Sequence, residues 1–288
     1  MGKFFEALKK SEEIKERQLA PESTPKKVVK ISPEKIDALR LDTTASQGPT
    51  ESSPLPETSM DPRLMSFIEP NSVAGESFKL LRAKILTRNS ESRPCSIMVT
   101  SPQPLDGKTT VAANLAINIA LGINEHVMLV DCDLRRPSMA KLLGLNPHEG
   151  IREYLEKGTS VAPYLMRTPV EKLTLLPSGQ PPSNPSELLS SEKMRLLVQE
   201  LRKRYEDRYV IFDATPARFG AETTFLASMV DGVLLVVRSG KTARDDIIEA
   251  IENIGRKKIF GIVFNASRER PKGYQYYYRY YRKGHRKR

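Results

Sequence analysis

Between Ser96 and Asn265 six short runs of β-prone, largely apolar residues recur, each followed by turn-rich or helix-spaced sequence. They are "SIMVTS" (Ser96–Ser101), "VMLVD" (Val127–Asp131), "LTLLPSG" (Leu173–Gly179), "YVIFD" (Tyr209–Asp213), "GVLLVV" (Gly232–Val237) and "IFGIVFN" (Ile259–Asn265). A strand with one wet face alternates apolar and polar residues; one that is apolar throughout is covered on both faces. Helices between such strands return the chain in the same direction and pack against the sheet. The pattern predicts an α/β fold of the P-loop NTPase-like kind, a mostly parallel sheet with helices on both faces. In open sheets of this type ligands bind outside the carboxyl ends of the strands. The residues that follow each run are therefore where chemistry is expected. No internal repeat is present.

Directly after the first run, "SPQPLDGKTTVAANLAINIA" carries a turn-rich loop into a helical pattern. Gly107, Lys108 and Thr109 form the end of a phosphate-binding loop whose usual leading glycine is Pro102 here. Backbone N–H groups at a helix N-terminus cradle phosphate oxygens, a lysine reaches the β- and γ-phosphates, and a hydroxyl can bind Mg²⁺. The expected nucleotide contacts are Asp106, Gly107, Lys108, Thr109 and Thr110. Alone, "GKT" is as readily a chance loop, and the bland reading of the aspartates is that Asp131 and Asp133 cap the next helix and Asp213 closes a strand. Context favours a site, because two further runs end in carboxylates: Asp131 and Asp133 in "VMLVDCDLRRP", and Asp213 in "YVIFDATP". Phosphoryl transfer needs carboxylates near a metal bridging the phosphates, and a base for the attacking hydroxyl.

Composition bounds the remainder. The longest clean apolar run, Gly232–Val237, is far short of a bilayer-spanning helix, and the start "MGKFFEALKKSEE" has no apolar signal segment. The expected location is cytoplasmic. Two cysteines, Cys95 and Cys132, make neither a disulfide framework nor a zinc cluster. The formal net charge of +11 calls for an acidic partner, but much of the excess lies in "GYQYYYRYYRKGHRKR", so a nucleic-acid-binding face on the body is not expected. The expected organisation is a short N-terminal helix (1–18), a disordered Pro/Ser/Thr/Glu-rich linker (19–60), one catalytic domain (61–270) and a tyrosine-rich basic tail (271–288). In "AGESFKLLRAKIL", Phe78, Leu81 and Ile85 share one helical face, while Glu76, Lys79 and Arg82 form a charged row.

These motifs together resemble the bacterial tyrosine kinases, or BY-kinases, from about Asp61 to the C-terminus. The resemblance rests on the "SPxPxxGKT" form of the loop, "VDCDLRRP", "LPSGQPPSNPSELLSS" (Leu176–Ser191), "VIFDATP", "DGVLLVVRSGKT" (Asp231–Thr242), "GIVFN" (Gly261–Asn265) and the terminal tyrosines. Related partitioning-type ATPases carry a signature lysine where this chain has Gln103, and lack the tail. The resemblance implies ATP and Mg²⁺ as cofactors. It assigns the β- and γ-phosphates to Lys108, the metal to Thr109, Asp133 and Asp213, activation of the incoming hydroxyl to Asp131, and the nucleotide base to Asn265. It implies that Tyr274, Tyr276, Tyr277, Tyr278, Tyr280 and Tyr281 are phosphoacceptors, and that Glu76, Lys79 and Arg82 belong to an oligomerisation helix. Arg135 and Arg136 lie near the active site in the family, though a plain surface role reads equally well. Expected partners are further copies of the chain, a separate transmembrane polysaccharide copolymerase that activates the kinase, and a cognate tyrosine phosphatase.

The resemblance thus implies a tyrosine autokinase that regulates exopolysaccharide synthesis or export, peripheral to the inner face of the plasma membrane through its partner. Departures from the family keep two rivals in view. Leu105 and Asp106 stand where Gly and Glu are usual, and Ala214-Thr215-Pro216 follows the third aspartate. Leucine does not readily take φ > 0, so a distorted loop and weak turnover are expected from Leu105. That would suit a catalytically weak nucleotide-binding scaffold; the other rival is a partitioning-type ATPase.

Overall fold

The computed structural model describes residues 60–88, 96–158, 160–204, 208–218 and 220–267. The N-terminal helix, all but the last residue of the linker, and the tyrosine tail lie outside the described residues. Two helices lead in, α1 (Met65–Ile68) and α2 (Val73–Arg88). Then come β1 (Ser96–Thr100), α3 (Lys108–Ala120), β2 (His126–Asp131), α4 (Met139–Leu142), α5 (Ile151–Lys157), β3 (Met166–Arg167) and β4 (Leu173–Leu176). The remainder is α6 (Pro185–Leu189), α7 (Glu192–Arg204), β5 (Arg208–Asp213), α8 (Ala221–Met229), β6 (Gly232–Arg238), α9 (Arg244–Ile254) and β7 (Ile259–Asn265).

The strands form one seven-stranded sheet in the order β3-β4-β2-β5-β1-β6-β7, parallel everywhere except at β3, which runs antiparallel to β4. All six expected runs are strands. The third is shorter than expected, ending at Leu176 because Pro177 has no N–H to donate to a ladder. The two-residue β3 is too brief to leave a periodic signal.

Covering on both faces, which the apolar runs predict, holds for the inner strands but not for the edge strand β7, where Ile262 and Phe264 stay exposed because no helix or further strand lies over them among the described residues. In β5, Tyr209 and Ile211 join the core under α3, whereas Val210 and Phe212 join the core under α7 and α8. The period of two thus feeds two separate apolar clusters from one strand. Phe78 and Leu81 of α2 pack on the α3 side beside buried Ile85, as the helical spacing predicts. Helix α3 is buried along nearly its whole length, and its four alanines (Ala112, Ala113, Ala116, Ala120) leave room for close packing against the sheet.

A polar staple fixes the lead-in segment to α3. The Asn114 side chain, fully buried, accepts from the Ser66 N–H at 2.8 Å and donates to the Arg63 and Thr110 carbonyls, each at 2.9 Å. Asn114→Ala would leave the buried Ser66 N–H and the Arg63 carbonyl without these bonds, which costs about 1–3 kcal/mol. Urea unfolding is expected to show that loss, and hydrogen exchange at the Ser66 amide to accelerate with it.

Candidate active site

The site forms where β1, β2, β5, β6 and β7 end, because their carboxyl ends share one edge of the sheet. The loop from Ser101 to Gly107 enters α3 at its N-terminus, whose free N–H groups and dipole favour an anion. Within the loop, the Ser101 hydroxyl donates to the Gln103 carbonyl at 2.7 Å, and Asp106 Oδ2 accepts from the Gln103 N–H at 3.1 Å. From outside, Thr242 Oγ1 donates to Asp106 Oδ1 at 2.8 Å, Arg238 Nη1 to the Leu105 carbonyl at 2.9 Å, and Asn265 Nδ2 to the Asp106 carbonyl at 2.8 Å. Gly107 has φ +96°, and a Cβ there would lie 2.0 Å from Asn265 Nδ2, so both backbone and neighbour require glycine.

Leu105 corrects a sequence expectation. It adopts φ +67° with its side chain turned out to solvent, 84% exposed. The loop therefore keeps a left-handed turn despite a strain of about 1–2 kcal/mol.

Below the loop, three carboxylates surround one ammonium. Lys108 Nζ lies 2.8 Å from Asp133 Oδ2, 3.4 Å from Asp213 Oδ1 and 3.0 Å from Thr109 Oγ1. Asp131 and Asp213 are register partners on the adjacent strands β2 and β5. Asp131 Oδ1 accepts from the Asp133 N–H and Oδ2 from the Met139 N–H, both at 3.2 Å. Asp213 Oδ2 is buried with no hydrogen-bond partner. Burial works against the Lys108 ammonium, but the charges of Asp213 and Asp133, the bond to Asp133 and the charge of Asp131 outweigh it and hold its pKa above the ordinary lysine value. Burial raises Asp213, against the pull of Lys108. Burial and then the Asp213 charge push Asp131 up to about 7, the Lys108 charge opposing them. A carboxyl titrating near neutrality is matched to general-base work at physiological pH.

The donor set fits a hard cation. Asp133, Asp213 with its orphaned oxygen, and the Thr109 hydroxyl are all oxygen donors, and three carboxylates against one lysine leave negative charge uncompensated. Among the described residues no group of three or more His, Cys, Asp or Glu forms a self-sufficient metal site.

Other expected residues fall differently. Arg135 turns to the helices, donating to Glu222 Oε1 at 3.0 Å and Ser186 Oγ at 2.7 Å, while Ser186 Oγ also bonds Glu222 Oε2 at 2.9 Å. Arg136 is exposed, and its backbone N–H donates to Asp133 Oδ1 at 3.1 Å. Lys79 pairs with Glu76 at 2.6 Å, and Arg82 reaches Glu125 at 3.5 Å, so this charged row is engaged within the chain. Cys132, between two site aspartates, is buried with its thiol pKa raised well above normal by burial, and is inert. Arg238 and Thr242, which brace the loop, were not singled out from sequence as site residues. Their signal was present in "RSGKT" after the strand beside β1.

A loop of this form at the head of a parallel sheet, with lysine and aspartates beneath it, defines a P-loop nucleotide-binding protein. An AAA domain family model matches residues 105–259. The tyrosine-protein kinase YwqD of Bacillus subtilis is 33% identical over 211 residues, covering 73% of this chain and 88% of that protein. Among solved structures, the chimerical protein CapA2B2 matches with TM-score 0.65 and 30% identity over 72% of this chain and 91% of that one. The kinase domain of the Escherichia coli tyrosine kinase ETK matches with TM-score 0.65 and 25% identity, over 72% and 82%. The chain belongs to the bacterial tyrosine kinases.

The raised Asp131 pKa makes a signed prediction for the protein without nucleotide. Between its ordinary value of 3.8 and about 7, the folded form holds a proton that the unfolded chain has released. Asp131 therefore contributes a fall in stability as pH rises through that window. Asp131→Asn removes the contribution. The urea midpoint of the variant, relative to the parent, is expected to improve from pH 4 to pH 7; a constant difference would refute the assignment.

Proposed function

We propose that this chain is an ATP-dependent tyrosine autokinase whose acceptors are Tyr274, Tyr276, Tyr277, Tyr278, Tyr280 and Tyr281, reached between copies of the chain. The observation that carries the reading is the single ammonium of Lys108 among Asp131, Asp133 and Asp213 beneath a braced phosphate loop. Bound Mg²⁺-ATP would supply the transferable phosphoryl group and neutralise its developing charge. Asp106, Gly107, Thr109 and Thr110 line the nucleotide's phosphate end in this reading. Lys108 exchanges its carboxylate partners for the β- and γ-phosphates. Thr109, Asp133 and Asp213 hold the metal, directly or through water. Asp131, fixed by two backbone N–H groups, takes the proton of the incoming tyrosine hydroxyl. Asn265 touches the nucleotide base in this reading, and its amide also secures the loop.

Family membership supports the kinase class. We infer a separate transmembrane polysaccharide copolymerase as activator and control of exopolysaccharide synthesis or export as the outcome. No helix among the described residues is long and apolar enough to cross a membrane. Assembly through Glu76, Lys79 and Arg82 would require these side chains to exchange their present partners, at little cost for the half-exposed Lys79–Glu76 pair and at a greater one for the more deeply buried Arg82–Glu125 pair. The scaffold reading loses its main support, since Leu105 takes the left-handed turn.

Intact mass after incubation with Mg²⁺-ATP tests the proposal. Stepwise phosphate additions mapping to the tail peptide, absent in Lys108→Met, are expected. Asp131→Asn is expected to retain ATP binding while kcat falls roughly 10²- to 10⁴-fold. ATP binding without any phosphate addition, even with a partner's cytoplasmic segment supplied, would overturn it.

A further inference from the structure

The loop's two consecutive carbonyls, those of Leu105 and Asp106, are each held by a side chain from a strand end: Arg238 of β6 and Asn265 of β7. These two residues are register partners across β6 and β7, so the pair acts from one rung of the sheet. In a planar trans peptide the N–H of the next residue points opposite to the carbonyl. Holding the Leu105 carbonyl toward Arg238 therefore aims the Asp106 N–H the opposite way, and holding the Asp106 carbonyl toward Asn265 does the same for the Gly107 N–H. Such successive N–H groups are what a phosphate cradle consists of.

The two carbonyls differ in what holds them costs. The second peptide enters a glycine, which accepts φ +96° without penalty; the first follows a leucine held at φ +67°. The leucine side chain, exposed, makes no packing interaction that would impose this turn. Asp106, in contrast, is tied independently through its carboxylate to the Gln103 N–H and to Thr242, whose hydroxyl also accepts from the Arg238 N–H at 2.9 Å.

We infer that Arg238 is a positioning residue of the nucleotide loop: its guanidinium enforces the left-handed turn at Leu105 and so keeps the Asp106 N–H directed at bound phosphate. The role rests on the proposed nucleotide site and is specific to a chain with leucine at this position. With glycine there the turn would need no enforcement. Arg238 acts through Leu105, without touching the nucleotide itself.

A cycle of Arg238→Ala, Leu105→Gly and the double variant in the full chain tests it. ATP affinity with Mg²⁺ is read by calorimetry, and KM and kcat by phosphate incorporation. Once the clamp is gone, ATP must re-form the strained turn, so Arg238→Ala is expected to weaken binding and raise KM for ATP roughly 5- to 30-fold, with kcat at saturation little changed. In the Leu105→Gly background the same substitution is expected to cost less than about threefold, because the glycine turn is unstrained.

Urea unfolding without nucleotide gives a second readout. Leu105→Gly should raise the midpoint more when Arg238 is present to enforce the turn than when it is alanine and the turn has relaxed. Arg238→Lys keeps the stem and charge without the planar fork, and carries the same cycle if the alanine variant does not fold. Equal effects of the Arg238 substitution in both backgrounds would overturn the inference while leaving the nucleotide site intact. A parent that binds no ATP would instead overturn the proposed function, and the urea cycle would still decide whether Arg238 enforces the turn.

Discussion

Everything at the head of the sheet is arranged around the attraction between Lys108 and the carboxylates of Asp133 and Asp213, with Asp131 close behind. Parallel pairing sets Asp131 and Asp213 directly across β2 and β5, and burial removes the water that would screen them. Desolvating a charge costs several kcal/mol even after the protein relaxes, so a single ammonium cannot satisfy three carboxylates. The imbalance has two visible outcomes. Asp131 is driven toward the neutral form by burial and by Asp213, and one oxygen of Asp213 remains without a partner. A stable core would be expected to eliminate both features; a site that accepts a cation and moves a proton uses them.

The fold supplies the rigidity that such a cluster requires. Each aspartate ends or closely follows a strand covered on both faces, and Lys108 opens α3, which is buried almost throughout. The side chains that converge on the loop also come from strand ends or immediately after one: Arg238 from β6, Thr242 just beyond it, and Asn265 from β7. None of these groups hangs from a long free loop. Their relative positions are consequently fixed by the packing of the two apolar clusters, which is where the greater part of the folding free energy resides.

Periodicity made the sheet legible, because largely apolar runs of five to seven residues between helical stretches admit few other architectures. The antiparallel β3 was hidden by its length, and the end of β4 by a run whose apolar character continued into Pro177. At the site, residues carrying their chemistry in their type could be read: a lysine after glycine, and aspartates after strands. The bracing by Arg238 and Thr242 could not be read from residue type, although both stand in the "RSGKT" motif, since their hydrogen bonds to the loop join positions more than 130 apart in the chain. Leu105 was misjudged for a related reason. Its intrinsic preference was read correctly, but the carbonyl contact from Arg238 that opposes it is tertiary.

The bracing also bears on the tail. Asn265 closes β7 and holds the Asp106 carbonyl, and the tyrosine-rich segment begins only six residues later, at 271. That segment carries seven lysines and arginines and no acidic side chain, whereas the site beneath the loop is net negative in side-chain charge. An unmodified tail is thus electrostatically suited to approach the site of a neighbouring copy. Each phosphate adds about −1.5 to −2 charge at neutral pH, so roughly four would cancel the tail's excess. If the tail is the acceptor, as proposed, the attraction that delivers it would fade as the reaction proceeds, and the product would leave for the same physical reason that the substrate arrived.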